Sequence, residues 1–107
     1  MFGLLRKSVK APPPPELLPV AQRLGEQLSD LANALRSRDE HWSGVLSALA
    51  NEGSGSRILR HSCGLKVRGI FGGMGSFNDI PLPEDLERKR NQLFTTAEEY
   101  LREAWRA

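Results

Sequence analysis

Between Phe71 and Asp79 the chain reads Phe-Gly-Gly-Met-Gly-Ser-Phe-Asn-Asp, and this is the stretch whose residue types and spacing could do chemistry. Gly72, Gly73 and Gly75 permit backbone angles closed to other residues, so several N–H groups can turn toward one point and form a nest for an anion. Ser76, Asn78 and Asp79 follow at once, with side chains short enough to bond the backbone of their own loop. The segment lacks the lysine and hydroxyl of a P-loop and the spacing of a dinucleotide fingerprint, which argues against a nucleotide. Two readings stay open. In one, the loop is a structural connection whose Phe71, Met74 and Phe77 plug the core. In the other, Gly72, Gly73, Met74, Gly75, Ser76, Phe77, Asn78 and Asp79 form a binding surface.

Other reactive side chains are scattered. His41 and His61 lie far apart, without the spacing of a metal site. His61 and Cys63 are two residues apart, which on a helix points them to different faces, so they make no nucleophile and base pair. Cys63 is the single cysteine and reads as a small buried hydrophobe, in keeping with a reducing compartment. Glu98, Glu99 and Glu103 lie near Arg102 and Arg106, and pairing within the helix accounts for them without catalysis. No catalytic residue, metal or other cofactor is expected from this inventory. Of the aromatics, Trp42 and Tyr100 read as core, and Trp105 is the one most open to a partner.

The elements that must position the loop are legible as hydrophobic spacing. Leu17, Ala21, Leu24, Leu28, Leu31 and Leu35 recur every three or four residues, predicting a first helix from Glu16 to about Ser37. Asp39 is placed to cap a second, in which Trp42, Val45, Leu46 and Leu49 face inward and which ends near Ala50. Asn51 to Ser56 reads as a loop whose last serine caps a third helix, from Arg57 to about Phe71. Within that helix Gly64 and Gly69 weaken the pattern, and Lys66 to Phe71 could be extended instead. Pro81 and Pro83 close the glycine-rich stretch, and Glu84 and Asp85 suit the start of a final helix. Its stripe is Leu86, Leu93, Ala97, Tyr100, Leu101 and Ala104, with Arg90 on the same stripe and expected to snorkel to solvent. The fold expected is all-α: about four helices, with a glycine-rich loop before the last.

Composition agrees with one ordinary globular domain. The chain has 107 residues, of which 39% are hydrophobic and 26% charged. Residues 1–15 form a tail, made of Phe2, Leu4, Leu5, Arg6, Lys7 and Lys10 and then four consecutive prolines, Pro12 to Pro15, which favour an extended spacer. Residues 16–107 form the helical domain. The apolar cluster before the tail's cations reverses the order of a secretory signal, so a cytoplasmic location is expected. Of 15 Lys and Arg, three lie in the tail, which leaves 12 against 13 acidic residues in the body. So balanced a body does not favour nucleic acid as the main partner, because phosphate binding needs clustered cations. No apolar run approaches the roughly 20 residues of a membrane span. The oligomeric state is not legible.

The run GGMGSFND, followed by Ile80, resembles a signature, GGMGS-(F/L)-ND-(I/L), of a family of small bacterial proteins in which it lies between a helix and a final helical segment. The likeness spans about Ser56 to the C-terminus and matches at Gly72, Gly73, Met74, Gly75, Ser76, Asn78 and Asp79. Small proteins of this kind often accompany bacterial toxin systems as immunity or accessory proteins. The resemblance therefore implies a protein-binding module that occludes the active site of a cognate toxin. The alternative is a ligand-binding protein or enzyme using the loop as an anion nest.

Overall fold

The computed structural model describes residues 19–72 and 76–104. The tail of residues 1–15, Leu17, the centre of the glycine-rich stretch (Gly73, Met74 and Gly75) and Trp105 lie outside the described residues. Four helices run in the order α1 (Pro19–Leu35), α2 (Glu40–Gly53), α3 (Arg57–Gly69) and α4 (Glu84–Ala104), with one 3-10 turn, Phe77–Asp79, between α3 and α4. The architecture is all-α, as the spacing predicts.

Each boundary has a local cause. Asp39 is extended, with φ −149° and ψ 91°, and its side chain accepts from the Trp42 N–H at 3.1 Å, so α2 begins at Glu40. That cap shortens α1, which ends at Leu35 rather than Ser37; the N–H groups of Arg38 and Asp39 both turn back to the Leu35 carbonyl. Ser56 caps α3 in the same way, accepting from the Leu59 N–H at 3.3 Å. The loop expected from Asn51 is shorter than its composition suggests. Helix α2 continues through Gly53, and Glu52 is held by Lys66 of α3 at 3.0 Å, so this last turn belongs to the α2–α3 contact. Residues Lys66 to Gly69 are helical, not extended, because Val67 must reach the interior from the same face as Cys63; both are fully buried.

The helices pack in sequence around one core, and α4 returns against α1. Arg23 meets Glu99 at 2.7 Å and Asp30 meets Lys89 at 2.6 Å, which sets α1 and α4 antiparallel. Glu99 is thus paired across the bundle, not within its own helix as its spacing with Arg102 suggests. Ser43 donates to the Ala32 carbonyl at 2.8 Å and fixes α2 on α1. The core is built by Leu24, Leu28, Leu31 and Leu35 of α1, Leu46 and Leu49 of α2, Cys63 and Val67 of α3, and Leu93, Ala97, Tyr100 and Leu101 of α4. Each buried leucine contributes about 1.5–3 kcal/mol relative to exposure. On α3, Gly64 lets the Tyr100 ring lie against the backbone: a Cβ there would stand 2.8 Å from Tyr100 Cδ2.

Candidate functional site

The chain leaving α3 must cross to the start of α4, and aromatic side chains anchor that crossing. Phe77 is fully buried, with its ring centroid 4.9 Å from that of Trp42 and 5.7 Å from that of Phe71. Phe71 also meets Phe94 of α4 at 4.9 Å. The Phe77 N–H donates to the Ile70 carbonyl at 2.9 Å and the Asp79 N–H to the Ser76 carbonyl at 3.0 Å, which closes the 3-10 turn.

Arg90 locks this turn from below. Its Nη1 donates to the Phe77 carbonyl at 2.9 Å and the Ile80 carbonyl at 2.7 Å, and its guanidinium carbon lies 5.7 Å from the centre of the Phe77 ring. Arg90 is only 4% exposed, so the expected snorkelling is corrected. The guanidinium finds neutral carbonyls inside the fold, and these replace water as acceptors. Glu87, one turn earlier and exposed, stands 3.7 Å from Nη2 and offsets part of the charge, while the buried Nε has no hydrogen-bond partner.

The residues singled out in the sequence therefore divide. Phe77 and Ser76 are buried, and Ser76 makes no capping bond through its side chain; backbone bonds and Arg90 fix the turn in its place. Gly72, Asn78 and Asp79 are exposed. Asn78 comes beside α4, where Phe71, Asn78, Asn91, Phe94 and Thr95 line an open cleft of about 310 Å³. Its walls are two phenylalanine rings, and its polar groups are two amides and a hydroxyl, which offer both donors and acceptors without charge. Asn91, Phe94 and Thr95 are missed by sequence reasoning, and so is the bracing role of Arg90. The one available signal was a cation at an inward position of an apolar stripe.

The groups with catalytic potential are dispersed. Cys63 donates its thiol hydrogen to the Leu49 carbonyl at 3.2 Å, and burial pushes its pKa up from 9.0 to about 11, with the nearby Glu52 carboxylate adding to the shift. Such a thiol stays protonated and unreactive at neutral pH. His61 packs edge-on against Tyr100 and His41 against Trp42. Among the described residues no three His, Cys, Asp or Glu side chains gather where they could hold a metal ion. Also among the described residues, no helix is long and apolar enough to cross a membrane.

No curated protein and no solved structure matches the chain. A family model described as "Domain of unknown function (DUF6966)" matches residues 35–88, just over half of the sequence. That span runs from the last residue of α1 through α2, α3 and the 3-10 turn into the first turns of α4. On this match the chain belongs to the DUF6966 family.

Proposed function

We propose that this protein is a cytoplasmic protein-binding module, in its most concrete form an immunity protein that neutralises a bacterial toxin by covering its active site. The observation that carries the reading is the Arg90 brace. It holds Asn78 and Asp79 on a turn that is rigid from within and open from without. A preorganised turn binds without a large ordering cost. Glu84 and Asp85, both exposed in the first turn of α4, add negative charge five and six residues after Asp79, and Asp85 lines a shallow cleft with Arg38. Acidic groups of this kind complement the basic cleft of an enzyme that acts on phosphates, and they steer the encounter. Occlusion needs shape and charge only, and no catalytic residue.

A second reading has one observation in its favour. The open cleft that Phe71, Asn78, Asn91, Phe94 and Thr95 line has the size and the mixed lining of a small-ligand site. The two readings separate in one experiment: capture of a co-expressed toxin candidate by the purified protein, beside thermal unfolding with nucleotides and phosphorylated metabolites. The binding module predicts capture that Asp79→Lys weakens. A rise in unfolding temperature with a metabolite, and no protein captured, replaces it with the ligand reading.

A further inference from the structure

Helix α3 carries an outward face unlike those of its neighbours. The large apolar side chains exposed among the described residues are Ile58, Leu59 and Leu65, and all three are on this 13-residue helix; Ile58 is 81% exposed and Leu65 53%. Ile58 and Leu65 are seven residues apart and so share one line of the helix, with Ser62 between them. Lys66 flanks this ridge on one side and Arg68 on the other. The sequence has no Asp or Glu between Gly53 and Asn78, while Arg57, Arg60, Lys66 and Arg68 all fall there. Two acidic groups approach from the neighbouring helices. Glu52 of α2 pairs with Lys66, and Glu98 of α4 lines a small cleft with Arg68 and Arg102. The face is therefore an apolar ridge between cations, on a helix whose opposite side is fixed in the core by Cys63 and Val67.

We infer that this face docks an acidic amphipathic segment of a protein partner, whose apolar side chains cover Ile58 and Leu65 and whose carboxylates reach Arg68 and share Lys66 with Glu52. Charge selects this occupant over the others. A second copy meeting it symmetrically would set Arg68 and Lys66 against their own kind. A membrane surface favours a broader apolar face, and the near-neutral body of the chain supplies little attraction to anionic lipid. The ridge begins at Ile58, about 16 Å along α3 from the end that leads to the braced turn, and finishes at Arg68 beside that end, so Ile58→Glu probes it away from the turn. It can fail without touching the reading of the turn.

The test is NMR titration of the full chain with a synthetic helical peptide carrying leucine at every third or fourth position and glutamate at the flanking ones. Its counterpart with lysine for glutamate and vesicles of phosphatidylglycerol and phosphatidylcholine are the comparisons. The expected result is shift changes centred on Ile58, Ser62, Leu65 and Arg68, with affinity falling several-fold between low and roughly 0.3 M salt. Ile58→Glu and Leu65→Glu alter exposed positions, keep the fold and reduce affinity at least about tenfold, since each loses an apolar contact and adds a repelling charge. Arg68→Glu weakens the acidic peptide and strengthens the lysine one. Equal binding of both peptides, binding to vesicles alone, or no binding of the acidic peptide at low salt overturns the inference.

Discussion

Arg90 holds Phe77 in two ways: its Nη1 donates to the Phe77 carbonyl at 2.9 Å, and its guanidinium carbon lies 5.7 Å from the centre of the Phe77 ring. With the second bond from Nη1 to the Ile80 carbonyl, one side chain of α4 fixes both ends of the turn that carries Asn78 and Asp79.

Removing this brace should cost more than removing a surface arginine. Bonds to a charged donor are worth about 1.5–3 kcal/mol each, so Arg90→Met, which keeps the apolar stem, should lower stability by roughly 2–4 kcal/mol in urea unfolding. Hydrogen exchange at the Phe77 and Asp79 amides should accelerate more than at the core amides of α1. A loss under about 0.5 kcal/mol would mean that the turn stands without Arg90.

Two glycines should respond in opposite directions to alanine. At Gly64 an added Cβ meets Tyr100 Cδ2 at 2.8 Å and Cε2 at 2.9 Å, in a ring that is itself buried. Gly64→Ala should cost about 1–3 kcal/mol, after the helix propensity gained is offset by overpacking. At Gly25 nothing lies within 4 Å, and Gly25→Ala should stabilise α1 by about 0.5–1 kcal/mol. Thermal unfolding of the two variants checks both signs.

Cys63 ties stability to alkaline pH. Its thiol ionises at about 11 in the fold against an ordinary 9.0, so between these values the folded chain keeps a proton that the unfolded chain has lost. The contribution is complete below about pH 9 and disappears as pH rises toward 11, by roughly 2–3 kcal/mol. Cys63→Ala should flatten that part of the stability profile while lowering the whole by a cavity cost. Alkylation of the native protein at neutral pH should be slow and should follow unfolding.

The cross-bundle ion pairs should matter little. Both Arg23 with Glu99 and Asp30 with Lys89 are substantially exposed, and such pairs contribute about 0–1 kcal/mol. Glu99→Gln should change the unfolding midpoint only slightly, and the change should shrink further in high salt.

Much of the frame was legible because leucine spacing and caps are local. Leu24, Leu28, Leu31 and Leu35 announce α1, Asp39 and Ser56 announce the starts of α2 and α3, and each does in the fold what its position implies. What was not legible depends on residues that meet only after folding. Arg90 looks like a snorkelling side chain until the Phe77 and Ile80 carbonyls, 13 and 10 residues away, are brought to it. Glu99 has candidate partners in its own helix, yet the chain brings it Arg23, 76 residues distant. The cleft beside Asn78 is likewise made by α4 packing under the turn, which no local pattern in Asn91, Phe94 or Thr95 indicates.

The most direct measurement of the proposed role is hydrogen–deuterium exchange of the protein alone and in complex with a captured toxin. Protection on binding should be greatest across Ser76 to Ile80 and the first turn of α4, and Asn78→Lys with Asp79→Lys should remove it while the helices stay folded. Protection concentrated on the outer face of α1 or α2, with the turn exchanging as fast as in the free protein, would contradict it.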